Sequence, residues 1–168
     1  MRNMSKDKIY EWKGLATYMI VRFSSYRNKI AKGELINMYY QKKVPFCGLD
    51  QLIMCMDEIM DMDNLPEREF HPRCTENHRA RIPDFLSQVH NTNIFFHPNE
   101  EDSHEEPSEN PKFISVAIHV YRRENGSMQG ELRIADENIR FRSALELIRL
   151  LYECLEWRKS KRKEQMES

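Results

Sequence analysis

Between Phe113 and Arg123 the chain reads FISVAIHVYRR, with Ile114, Val116, Ile118 and Val120 on one face and Ser115, Ala117, His119 and Tyr121 on the other. Period two in β-branched residues is the pattern of a half-buried strand. The turn residues Glu124, Asn125, Gly126 and Ser127 follow, then GELRIA, which predicts a hairpin, and IRFR supplies a third short strand. Ser143 and Glu146 then stand three apart ahead of an apolar run. That is a capping box, in which the hydroxyl accepts from one orphan helix amide while the carboxylate reaches back to another. Leu147, Ile148, Leu151 and Leu155 recur behind it at helical spacing.

The same order is legible earlier in the chain. Met19, Val21 and Phe23 alternate as a strand, Gly48 and Gln51 hold the cap positions in a weaker form, and Leu52, Ile53, Met56, Ile59 and Met60 make a helical stripe. Residue types repeat as well. Tyr26 and Arg27 match Tyr121 and Arg122; Gly33, Glu34 and Leu35 match Gly130, Glu131 and Leu132; Phe46, Leu52, Ile53 and Glu58 match Phe141, Leu147, Ile148 and Glu153. The offset runs 95, then 97, then 95, as it does when one copy has a turn two residues longer and recovers it in the next connection.

An internal period of this kind predicts the architecture before anything else does. We expect an α+β fold of two tandem βββα repeats related by a pseudo-twofold, an antiparallel sheet with the helices packed on one side. One unit is too small to be comfortable alone, so the two share a core. Joining their sheets edge to edge would hide two exposed edges. The chain divides into residues 1–62, the first βββα repeat with an N-terminal extension; 63–112, an acidic connector rich in histidine; and 113–168, the second repeat with a basic end to its helix.

Composition changes this picture little, and charge changes it more. With 40% hydrophobic and 32% charged residues the chain is of ordinary globular type. It has no apolar run of 18 residues and no signal-peptide pattern, so a cytoplasmic protein is expected, not a membrane-spanning one. Cys47, Cys55, Cys74 and Cys154 lack CxxC spacing and read as reduced thiols. The net charge of −1 is unevenly spread: residues 1–60 carry +4, residues 61–112 carry −7 and residues 113–168 carry +2. Within the connector, NEEDSHEEPSENP has no apolar residue and reads as a flexible loop. Ahead of it, Ile82 to Phe96 has enough apolar residues to pack, with a short helix opened by Pro83 and Asp84.

YRRENGSMQGELRI followed by FRSALELIRLLYE resembles a group of small proteins of anaerobic gut Firmicutes in which an xQGxL, then FRSxLELI pattern recurs. The resemblance covers about a third of the chain well, and the first copy only loosely. It implies the structural unit and no activity, since none is established for that group.

The residues suggest or exclude four kinds of chemistry. His71, Cys74 and His78 have spacings that suit zinc, but no second close ligand pair accompanies them; scattered histidines in a polar loop are more often solvated, and neither a metal nor any other cofactor is expected. The basic set Arg122, Arg123, Arg133, Arg140 and Arg142, with the RKSKRK tail and the nearby Tyr121 and Phe141, could follow a phosphate backbone and stack bases. Against it stand the interleaved acids and a pI of about 6.6. On this second reading the acidic connector would shield the basic strands. Protein recognition is suggested by Tyr26, Arg27, Tyr39, Tyr40 and Tyr121, placed on sheet faces away from the helices, and by the methionines of the first helix, Met54, Met56, Met60 and Met62. No GxSxG, P-loop or HExxH occurs, and five glycines leave little room for a phosphate cradle, so no catalytic residue is assigned.

The reading is therefore an intracellular, non-enzymatic binding or adaptor protein built on a duplicated unit, acting as a monomer or homodimer on a protein partner. Its expected binding residues are Tyr26, Arg27, Tyr121, Arg122, Arg123, Arg133, Arg140 and Arg142. Nucleic-acid binding is the first alternative, and a small ligand held at the repeat interface the second.

Overall fold

A computed structural model describes residues 15–37, 39–40, 42–70 and 114–166 of the 168-residue chain. After a 3-10 turn at Leu15–Thr17 come β1 (Tyr18–Arg27), β2 (Ile30–Asn37), β3 (Lys42–Cys47) and the helix α1 (Leu49–Asp61). Then follow β4 (Ile114–Arg122), β5 (Gln129–Ile134), β6 (Glu137–Phe141) and the helix α2 (Ala144–Met166). The fold is α+β, and the six described strands form one antiparallel sheet in the order β3-β2-β1-β4-β5-β6.

The sheet is closed at its centre by β1 and β4, paired from Tyr18↔His119 to Phe23↔Ile114. Each of these strands is apolar on one face and would be an exposed edge without the other, so their pairing removes the two most aggregation-prone edges. The outer edges are of a different kind. β3 carries Pro45, which cannot donate to a further strand, and β6 is only five residues long.

One face of the sheet is covered. Met19, Val21, Phe23, Leu35, Val44, Phe46, Val116, Ile118, Val120, Leu132 and Phe141 are buried in a single cluster with Leu49, Leu52, Met56, Ile59 and Met60 of α1 and Leu147, Leu151 and Leu155 of α2. Both helices therefore lie on the same side. Burying a side chain of this size contributes about 1.5–3 kcal/mol, and the strand and helix stripes anticipated from the sequence supply nearly the whole cluster.

The helix starts follow one plan. The Glu146 amide donates to Ser143 Oγ (3.1 Å), as the capping box requires, while Glu146 Oε2 accepts from the amide of Arg142 (2.7 Å). At α1, Gln51 Oε1 accepts from the amide of Cys47 (2.8 Å), the position 95 residues earlier, and Gly48 makes no side-chain cap. In both cases the reaching side chain takes the amide one residue ahead of the cap, where it also bridges the strand end to the helix.

The strand ladders refine the offset read from the sequence. β1 bulges between Phe23 and Ser25, and β4 bulges between Val120 and Arg122. With the bulges superposed, Gly33 pairs with Phe23 as Gly130 pairs with Val120, an offset of 97 throughout the first two strands of each half. It returns to 95 only in the third strands, where Gly33↔Phe46 matches Gly130↔Phe141. The matched Tyr-Arg pairs thus fall two residues apart on the ladder, because β1 runs on to a two-residue turn at Asn28–Lys29 while β4 leaves the ladder at Arg122. The structural counterpart of Tyr26 is Arg123.

Candidate docking face

The second face of the sheet lies opposite both helices. Reading across paired positions from β6 to β1, one row runs Arg140, Glu131, His119, Tyr18; the next runs from Asn138 through Arg133, Ala117, Ile20 and Ile36 to Lys43; a third holds Ser115, Arg22, Glu34 and Pro45. Side chains alternate across a strand, so these residues point away from the core that their neighbours build. The middle row sits at the β1–β4 junction and gives the face a half-buried apolar floor of Ile20 and Ala117, while Ile36 in the same row is buried, at 5% exposure.

Three rings mark one end of this floor. Tyr18 and His119, cross-strand partners, stack with centroids 3.8 Å apart and planes 10° apart, and the His119 and Tyr121 rings meet edge-on at 5.9 Å. Tyr18 keeps 47% and Tyr121 40% of its surface exposed, so both present ring area outward. Burial lowers the His119 imidazole below its ordinary pKa, against an opposing pull from Glu131, and the ring that stacks on Tyr18 at neutral pH is therefore uncharged.

Among the described residues the charge of the face is positive. Arg22, Lys32, Lys43, Arg133 and Arg140 stand against Glu34 and Glu131. Lys43 lies 3.9 Å from Glu34 and Arg140 3.5 Å from Glu131. Those two pairs are exposed and contribute little to stability, and they leave a surplus of cations on β1, β2 and β5.

The residues expected from the sequence to bind fall into three places. Tyr121, Arg133 and Arg140 are on the open face, with Arg122 and Arg142 near its margin beside Glu124 (3.9 Å) and Glu146 (3.6 Å) respectively. Arg27 is exposed at the far end of β1, beside the Asn28–Lys29 turn and away from Tyr121, because β1 and β4 run in opposite directions.

Tyr26 and Arg123 are on the helix side. The Tyr26 hydroxyl donates to Glu156 Oε1 (2.6 Å), Tyr152 packs at 6.3 Å and the Lys159 ammonium sits 5.8 Å from the ring centre. Burial, then the Glu156 bond, pushes its pKa up to about 12. Arg123 is 3% exposed. It donates to Pro66 O (2.7 Å), Asn64 Oδ1 (3.2 Å), Met60 O (3.4 Å) and the carboxylate of Asp61, with Asp57 at 3.6 Å. Arg68 joins from the other side, bonded to Asp57 and Asp61 at 2.8 Å. This guanidinium is fully engaged in tying the end of α1 to the β4–β5 hairpin, and its charge is spent inside the molecule.

The methionines divide too. Met56 and Met60 are in the core, Met54 and Met62 exposed. Tyr40 packs on the core margin and its hydroxyl donates to Asp63 (2.7 Å). Tyr18 and Arg22, which complete the open face, were missed from the sequence. The signal was present in the alternation Tyr18, Ile20, Arg22, but only the β1–β4 register sets it beside His119.

His71, Cys74 and His78, the Ile82 to Phe96 segment and the acidic stretch 99–111 lie outside the described residues. Among the described residues no group of three His, Cys, Asp or Glu side chains could hold a metal ion, and no helix is long and apolar enough to cross a membrane. Cys47, Cys55 and Cys154 are free thiols; burial pushes Cys55 up to about 11, which keeps it protonated and unreactive. No protein-family model, curated protein or solved structure matches the chain.

Proposed function

We propose that this chain is a cytoplasmic, non-enzymatic binding protein, built from a duplicated βββα unit, that docks a macromolecule on the open face of its sheet. The carrying observation is the contrast between the two faces. One is sealed by both helices, while the other presents exposed tyrosine rings and a surplus of cations around an apolar floor. Aromatic residues and arginine are the side chains enriched where surfaces are recognised.

Duplication explains how such a face arises. Two copies joined through their first strands place the β1–β4 junction, with a local pseudo-twofold between Ile20 and Ala117, at the middle of a platform twice the width one unit could offer. Three further relations support copying: the twin bulges, the glycine–phenylalanine pairs and the matching helix starts. The covered side needs no partner, so selection for a binding surface acts on the other.

Native mass spectrometry of the protein purified from cells tests this reading against its small-ligand and enzymatic rivals. The native and denatured masses should agree for a monomer or differ by whole chains. Extra mass of a few hundred daltons lost on denaturation would overturn the reading in favour of a small ligand, as would turnover of a defined metabolite by the pure protein.

A further inference from the structure

We infer that the open sheet face binds single-stranded nucleic acid, its bases laid on Tyr18 and Tyr121 and its phosphates met by Arg22, Arg133 and Arg140. The inference rests on the docking role proposed above and names the partner.

Charge and ring geometry together select the occupant. A polyanion is favoured because, among the described residues, the face carries five cations and two carboxylates on a chain whose net charge is −1. An acidic peptide would satisfy the cations but leave the rings without a counterpart. Bases have flat faces, and stacking on exposed tyrosines is the sequence-tolerant contribution that sheet platforms make to single strands. The Tyr18–His119 stack, with planes 10° apart, fixes the orientation of Tyr18 before anything binds, which lowers the ordering cost of a further ring placed on it. The neutral imidazole suits this, since it needs no counter-ion within the stack.

Duplex nucleic acid is a poorer fit. Reading a groove takes a protruding helix or two-stranded ribbon, and among the described residues both helices are on the opposite face, packed into the core. The spacing across the sheet suits a strand laid over it: Arg140 and Tyr18 are three strands apart, about 14 Å at the usual separation, with Arg133 in the neighbouring row. A single strand crossing the β-strands along this row would meet Arg140, then the Glu131 carboxylate paired with it, then the stacked His119 and Tyr18 rings.

The test is fluorescence anisotropy of the full chain with short labelled oligothymidylate and oligouridylate across a salt series. Binding of either at low salt is expected, weakening as salt rises. Tyr18→Ala and Tyr121→Ala should each weaken it about five-fold or more at every salt concentration. Arg133→Ala and Arg22→Ala should instead flatten the slope of log K against log salt by roughly 0.7 each. All four residues are exposed on the sheet face, and circular dichroism would show each variant folded. Failure of both oligonucleotides to bind at low salt overturns the inference, as does equal binding of polyglutamate, or binding that all four variants leave unchanged. If the oligonucleotides fail while cross-links from this face in cells give nuclease-resistant protein adducts, the nucleic-acid inference falls and the docking role stands.

Discussion

Asp61, the last residue of α1, holds the guanidinium of Arg123, which leaves the end of β4 in the other half of the molecule. The relation has a counterpart. Glu156, 95 residues after Asp61, accepts from the hydroxyl of Tyr26, 97 residues before Arg123, and those are the offsets of the helices and the first strands respectively. Each helix thus carries a carboxylate, Asp61 at the end of α1 and Glu156 within α2, that holds a residue of the opposite half at the end of its first strand. The two contacts differ in depth: Arg123 is buried and Tyr26 is half-buried.

That difference in depth predicts a difference in energy. Removing a carboxylate from a buried guanidinium leaves a desolvated charge underpaired, whereas a half-buried hydroxyl beside an exposed Glu156 can turn to water. Asp61→Asn should lower stability by about 1–3 kcal/mol and Tyr26→Phe by less than about 1 kcal/mol. Urea unfolding of the two variants checks the order, and a Tyr26 variant as costly as the Asp61 one would contradict it.

The glycines of the GEL motifs are required by contact. A methyl group on Gly130 would lie 2.1 Å from the carbonyl oxygen of His119 and 2.6 Å from Phe141, and one on Gly33 would lie 2.0 Å from the carbonyl oxygen of Arg22. Gly130→Ala should therefore cost about 1–3 kcal/mol or more through overpacking. Gly126, at φ 68° with open space around it, should tolerate Asn at a cost of a few tenths. Thermal melts of the two variants would separate close approach from backbone conformation.

Acid should weaken the fold in two steps. The folded His119 pKa lies below its ordinary value of about 6.5, so protonation favours the unfolded chain. Its contribution is complete above that value and declines as pH falls through it. For Asp61, burial pushes the pKa up, but the bonds from Arg68 and Arg123 outweigh it and leave it below about 3.9. Stability from this group is present above that value and is lost as pH falls through the folded pKa. An NMR titration of His119 should give a midpoint below about 6.5, and His119→Phe should remove the first step. A midpoint above the ordinary value would contradict the burial of the ring.

Capping gives a local prediction. Ser143→Ala removes the acceptor for the Glu146 amide and should cost about 1 kcal/mol. Loss of amide protection confined to the first turn of α2 would confirm where it acts.

Much of the fold was legible because it rests on local periodicity. The alternation at 114–120, the helix stripes and the Ser143–Glu146 spacing each follow from one element's own residues. What was not legible depends on registers between distant segments. Tyr26 and Tyr121 look equivalent in the sequence, yet a bulge in each first strand and unequal hairpins send one to the helix side and the other to the open face. Arg123 looks like its neighbour Arg122, and only the packing of α1 against the β4–β5 hairpin makes it an internal tie. Tyr18 acquired its role from pairing with His119, 101 residues away.

The most direct test of the docking role is photo-cross-linking in cells, with p-benzoylphenylalanine placed at Ser115 on the open face and, separately, at Glu153 on the exposed side of α2. The account predicts discrete macromolecular adducts from Ser115 and none from Glu153. Equal adducts from both positions, or adducts from Glu153 alone, would contradict it.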